Sequence, residues 1–151
     1  MISKVLFASG NTEWETPQYL WDELDLEFGF HLDAAASDEN TKVPFYYTTE
    51  DDALKQNWFD RSQGITSIWV NPPYGRGIVE WVKKAYLESQ RGATVVMLLP
   101  ARTDTAWFHN WVLGRAEIRF LRGRLKFSNS ANSATFPSVI VIFRPPWQRS
   151  M

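Results

Sequence analysis

Four adjacent residues, Asn71-Pro72-Pro73-Tyr74, combine a side-chain amide, two residues that fix the backbone and an aromatic ring. Such a group can hold an exocyclic amine while its nitrogen attacks an electrophilic methyl. The Asn71 side-chain oxygen and the Pro72 carbonyl can each accept one N–H, and proline rigidity keeps both acceptors aimed without further ordering cost. With both hydrogens engaged, the nitrogen lone pair is left for the methyl. An exposed Tyr74 ring would then stack on a planar base and offset the stacking lost when that base leaves its helix. The alternative is an ordinary turn with a packing tyrosine. Average residue usage produces an Asn-Pro-Pro-aromatic tetrad by chance roughly once in a thousand chains of this length, which favours chemistry.

The elements around the tetrad follow from hydrophobic period. Residues 67–71, Ser-Ile-Trp-Val-Asn, read as a strand stopped by Pro72-Pro73, because proline cannot continue a central ladder. Upstream, Thr16-Pro17 reads as the cap and first position of a helix carrying Leu20, Trp21, Leu24 and Phe28 on one face, closed by Gly29. Phe30-His31-Leu32 then leads as a short strand into Asp33 and the small run Ala34-Ala35-Ala36-Ser37, where backbone can approach a ligand closely. Residues 38–63 show no usable period.

Downstream, 78–90 predicts a helix with Ile78, Trp81, Val82, Ala85 and Tyr86 on one stripe and Glu80, Lys83, Lys84 and Glu88 opposite, ended by Gly92. The apolar run 94–99 predicts a strand covered on both faces, closed by Pro100. A third helix capped by Thr103 or Asp104 runs to Leu113, followed by strands at 116–121, 125–127 and 139–143. The alternation gives an α/β fold with a mostly parallel sheet and a C-terminal antiparallel hairpin, and such sheets bind ligands at the carboxyl ends of their strands.

Composition bounds the rest. A chain of 151 residues with 44% hydrophobic residues and no separating linker is expected to be a single domain over 1–151. The absence of Cys removes thiolate nucleophiles and disulfides and, with two histidines, speaks against a metal cage. No apolar run approaches a membrane span and the start shows no leader pattern, so a cytoplasmic protein without membrane partners is expected. Charge is divided: residues 1–70 carry thirteen acids and four bases, residues 71–151 four acids and twelve bases. A basic face fits a polyanion, although surface charge can also fall unevenly without function. Arg76, Arg102 and Arg124, nearest the tetrad, are the candidate phosphate contacts.

Taken with the segments Trp14-Glu15-Thr16-Pro17, Leu32 to Ser37, Glu50 to Leu54, Asn71 to Gly75 and Phe136-Pro137-Ser138, the chain resembles the small phage-type (Dam-like) DNA N-6-adenine methyltransferases that use S-adenosylmethionine. The resemblance implies a shortened Rossmann-like methyltransferase fold, since only 37 residues lie between Asp33 and Asn71. It implies methyl transfer to N6 of a flipped adenine in DNA, with Asn71, Pro72, Pro73 and Tyr74 as the catalytic group.

For the cofactor it implies Asp33 against the methionine part, Ala34 where glycine is common, and Asp52, or its neighbour Asp51, on the adenine amine. Thr16-Pro17 and Asn71 would lie beside the cofactor as well. Each has a plainer alternative: a helix cap for Asp33 and Thr16, a solvated turn for the acids 50–52. The ribose acid is open between Glu39 and Glu50. The same tetrad serves protein-glutamine and RNA methylation, and the alanine-rich loop suits an inactive nucleic-acid-binding relative; these are the alternatives. With no room for a separate target-recognition domain, relaxed sequence recognition is expected unless a homo-oligomer adds surface. A viral protein acting in the host cytoplasm would fit.

Overall fold

The computed structural model describes residues 14–149. Residues 1–13 and 150–151 of the expected 1–151 unit, including the start in which no leader was expected, lie outside the described residues. Helix α1 (Gln18–Phe28) buries Leu20, Trp21 and Leu24 and ends at Gly29, whose φ of 61° lets its N–H reach the Asp25 carbonyl at 2.7 Å. Strands β1 (Leu32–Asp33) and β2 (Phe45–Tyr46) follow, then three 3₁₀ turns between Thr49 and Gln63. Next come β3 (Ser67–Val70), α2 (Ile78–Arg91), β4 (Thr94–Pro100) and a π-helical turn, Phe108–Val112. Strands β5 (Glu117–Phe120) and β6 (Ser138–Phe143) and a short helix α3 (Pro146–Arg149) complete the described chain.

The six strands form one sheet in the order β2-β1-β3-β4-β6-β5. The β1/β2, β1/β3 and β3/β4 pairs are parallel, whereas β6 runs antiparallel to both β4 and β5. The α/β expectation with a shortened, mostly parallel sheet therefore holds. The antiparallel pair is joined by a long excursion, 121–137, in place of a tight turn. Residues 95–100 of β4 and all of β6 are buried, as central strands covered on both faces must be.

Four expectations shift. Thr16 does not cap α1: Pro17 takes that position, its carbonyl receiving Trp21 N–H at 3.2 Å, and the Thr16 hydroxyl turns inward. The third helix is a π turn, closed by Leu113 N–H on the Phe108 carbonyl at 2.9 Å, five residues back. Its first turn is met by the Thr105 hydroxyl, which accepts from Phe108 N–H at 3.4 Å, and not by Thr103 or Asp104. Residues 125–127 form no strand; Leu125 and Phe127 are side chains of an irregular loop pressed into the core. The unassigned stretch 38–63 hides β2, whose two residues are too few to show a period. Its pairing is extended by Tyr47 N–H to Asp33 O at 3.0 Å and Ala36 N–H to Tyr47 O at 2.9 Å.

Glu88 is the largest departure from the helical pattern. Expected on the solvent face of α2, it is 2% exposed and collects Lys84 Nζ at 2.9 Å, Arg91 Nη1 at 2.8 Å and Phe59 N–H at 2.9 Å. The carboxylate thereby ties the loop at Phe59 to α2. Gly92 completes this joint, because a Cβ there would meet the Phe59 ring at 2.8 Å. Replacing Glu88 with Ala strands Lys84 and leaves the Phe59 N–H unpaired. Urea unfolding of Glu88→Ala is expected to show a loss of about 3 kcal/mol.

Candidate active site

Because β2, β1, β3 and β4 run parallel, their carboxyl ends share one edge of the sheet. The β1/β3 register sets Asp33 opposite Trp69, so Asn71 emerges two residues beyond the partner of Asp33. At this edge lies a cavity of about 960 Å³ whose lining includes Thr16, Asp33, Ala34, Asp52, Asn71 and Pro73. Strand register thus brings Asp33 and Asn71, far apart in sequence, to one edge.

Asn71 is held in one orientation. Its Nδ2 donates to the Trp14 carbonyl and to the Thr16 hydroxyl, the latter at 2.9 Å. A carbonyl can only accept, so Nδ2 must face Trp14 and the amide cannot flip. The Oδ1 atom is buried and accepts no hydrogen bond from the described residues. A buried acceptor without a donor costs on the order of 1–3 kcal/mol, which an incoming N–H would recover.

Asp33, 3% exposed, lies on the cavity wall and is no helix cap. One oxygen accepts from Lys42 N–H at 3.2 Å and the other from Ala35 N–H at 3.4 Å. Burial outweighs these bonds and pushes the carboxyl up to about 7. An ammonium group beside it would reverse that shift. Lys42 also sends Nζ to Gln18 Oε1 at 2.8 Å and to the Thr16 carbonyl at 3.4 Å, linking the Asp33 loop to the start of α1.

The acids 50–52 separate cleanly. Asp51 turns back on Thr48, accepting its N–H at 2.8 Å and its hydroxyl at 3.2 Å, and lies off the cavity wall. Asp52 reaches the cavity, carried there by a left-handed φ of 54° that it alone adopts among the non-glycine described residues. Glu39 and Glu50 also line it.

The rest of the tetrad behaves differently from the expectation of an exposed ring. Tyr74 is 8% exposed, packs edge-on against Phe127 and Phe136 at 6.4 and 5.8 Å, and donates its hydroxyl to the Leu98 carbonyl of β4 at 3.0 Å. Burial raises its phenol well above the usual range. Pro72 and Pro17 are buried, and with Tyr74 they stand outside the cavity lining.

Arg76, Arg102 and Arg124 are exposed, and among the described residues none makes an ion pair. Arg102 lies over the Phe136 ring, which packs on Tyr74. Other basic residues of the C-terminal half are engaged away from this edge: Arg119 forks onto Glu27 at 2.7 Å and also holds Glu117, which Arg144 reaches at 2.7 Å. These guanidinium bonds hold the Glu27 and Glu117 carboxyls below their ordinary values.

A family model described as DNA N-6-adenine-methyltransferase (Dam) matches residues 4–151. The chain belongs to this family. It is 36% identical over 113 residues to the DNA N-6-adenine-methyltransferase of Escherichia phage T1, a match covering 74% of this chain and 45% of that protein. It is 31% identical over 141 residues to the protein of the same description from Haemophilus phage HP1 (strain HP1c1), covering 87% of this chain and 78% of that one. The chain thus spans less than half of the first relative and more than three quarters of the second.

Lys42, Trp81, Ser128 and Asn129 also line the cavity and escaped the sequence reading. Nothing in their spacing marks them, since tertiary packing alone brings them to the edge.

The raised Asp33 carboxyl has a measurable consequence. Between the ordinary value of 3.8 and about 7 the native state binds a proton that the unfolded chain has released. Its contribution to stability therefore falls as pH rises, by up to about 1.4 kcal/mol per unit, and levels off above the folded value. Unfolding curves of wild type and Asp33→Asn across this window isolate the effect: their difference is expected to drift with pH below 7 and to be constant above it. A constant difference throughout would place Asp33 as an ordinary carboxylate.

Proposed function

We propose that this chain transfers a methyl group from S-adenosylmethionine to the N6 amine of adenine in DNA. The observation that carries the proposal is the Asn71 Oδ1 atom, a buried acceptor without a donor, fixed by its own amide nitrogen at the carboxyl edge of the sheet. The descriptions of the two phage relatives supply the substrate class.

The residues present suit that cofactor. Asp33 is a buried acid whose charged form a cationic partner would stabilise, so it would hold the ammonium of the methionine part; Ala34 would leave room beside it; Asp52, on the cavity wall, would accept from the adenine amine. Thr16 borders the same cavity. When bound, S-adenosylmethionine supplies an electrophilic methyl on a sulfonium sulfur.

The chain's own part is orientation. Asn71 Oδ1 would accept one N–H of the exocyclic amine and the Pro72 carbonyl the other, which leaves the nitrogen lone pair free for the methyl donor; as the N–C bond forms the C–S bond breaks, and the methylated nitrogen gives up one proton to water. Pro73 and the Tyr74 hydroxyl bond to β4 fix the turn that carries both acceptors. For the adenine ring to stack on Tyr74, the half-buried Phe136 ring must swing aside. Arg102, which lies over that ring, together with Arg76 and Arg124, holds the phosphates of the strand from which the base is extruded.

Asn71→Ala tests the reading. It removes the acceptor without changing charge, so transfer of labelled methyl to DNA is expected to fall by about a hundredfold or more, while calorimetric cofactor affinity stays within a few fold. Near-normal turnover in Asn71→Ala would take the tetrad out of the mechanism. Cofactor binding by wild type with transfer only to RNA or protein would move the substrate, and loss of cofactor binding altogether would leave a nucleic-acid-binding relative.

A further inference from the structure

Resting on the methyltransferase reading, we infer that Thr16 is a positioning residue: its hydroxyl and the Trp14 carbonyl together lock the Asn71 amide so that Oδ1 faces the reacting amine. An asparagine amide has two N–H donors and one carbonyl acceptor, and it presents the acceptor reliably only when both donors are occupied elsewhere. Here the two acceptors come from a single segment 55 and 57 residues away in sequence. Thr16 is buried, so its hydroxyl is not replaced by water at no cost.

The segment 14–16 is itself clamped from two directions. Ser128 N–H donates to the Glu15 carbonyl at 2.9 Å, Ser128 Oγ donates to the Thr16 carbonyl at 3.1 Å, and Glu15 N–H donates to Asn129 Oδ1 at 3.0 Å. Lys42 Nζ reaches the Thr16 carbonyl from the opposite loop at 3.4 Å. With its backbone so held, the Thr16 hydroxyl is placed before any ligand arrives. Its role is thus to preset the acceptor, a role distinct from lying beside the cofactor. The same clamp joins Asn71 to the 121–137 loop that carries Arg124.

Two substitutions separate the functions of this side chain. Thr16→Val keeps the shape and removes the acceptor; Thr16→Ser keeps the hydroxyl and removes a methyl. The first readout needs no substrate. In NMR spectra of the protein without added ligand, the Asn71 Nδ2 protons, assigned by their loss in Asn71→Ala, are expected to shift and exchange faster with solvent in Thr16→Val and to return in Thr16→Ser. The second readout is kinetic: kcat for methyl transfer to DNA is expected to fall about tenfold in Thr16→Val, with cofactor Kd within twofold, and to recover in Thr16→Ser.

Unmoved Nδ2 protons in Thr16→Val overturn the inference whatever the enzyme's substrate. So does an unchanged kcat with a weakened cofactor Kd, which would make Thr16 a cofactor contact only, and so does a serine variant as impaired as the valine one. If wild type fails to methylate DNA while the Nδ2 protons respond as expected, the substrate reading fails and the positioning of Asn71 stands.

Discussion

The geometry of this protein turns on an amide that has been given no freedom. Asn71 stands at the end of a buried parallel strand and lines the cavity, and both hydrogens of its side chain are taken by the Trp14–Thr16 segment, leaving one buried oxygen without a donor among the described residues. Folding leaves that acceptor unsatisfied, and a polar group in that condition is most stabilised by whatever ligand completes it. The sheet supplies the remaining requirement. The parallel register of β1 and β3 brings Asp33 and Asn71 to the same edge, so one short stretch of backbone pairing decides where both the buried acid and the acceptor stand.

Charge is distributed with the same economy. The acidic N-terminal half and the basic C-terminal half meet in the network of Glu27, Arg119, Glu117 and Arg144, where guanidinium forks hold carboxylates at 2.7 Å. That pairing neutralises arginines distant from the cavity. Arg76, Arg102 and Arg124 are exposed and make no such pair among the described residues, and Arg102 lies over the Phe136 ring that packs on Tyr74. Net charge would have hidden this division.

Much of the architecture was legible because strong periods are physical statements about burial. The almost wholly apolar 94–99 could only be a central strand, and the stripe from Ile78 to Tyr86 could only be a helix packed on one side. What escaped notice depended on contacts between distant residues. Thr16 looks like a cap from its neighbours, yet its hydroxyl is claimed by Asn71, 55 residues on. Tyr74 looks exposed beside two prolines, yet Phe127 and Phe136 from the 121–137 loop enclose it. Glu88 reads as a solvent-facing charge until Lys84, Arg91 and Phe59 N–H are seen around it. The acids 50–52 could not be ranked by sequence because the local turns decide them: Asp51 folds back on Thr48, while Glu50 and the left-handed Asp52 line the cavity.

The central claim, that this arrangement orients the N6 amine of adenine in DNA for methylation, is tested most directly by chemical identification of the product. Purified protein is incubated with methyl-labelled S-adenosylmethionine and unmethylated double-stranded DNA, the DNA is digested to nucleosides, and the labelled species is identified by mass and chromatography. The account predicts label in N6-methyldeoxyadenosine. Label in a different nucleoside, or none in DNA while the cofactor binds, would contradict it.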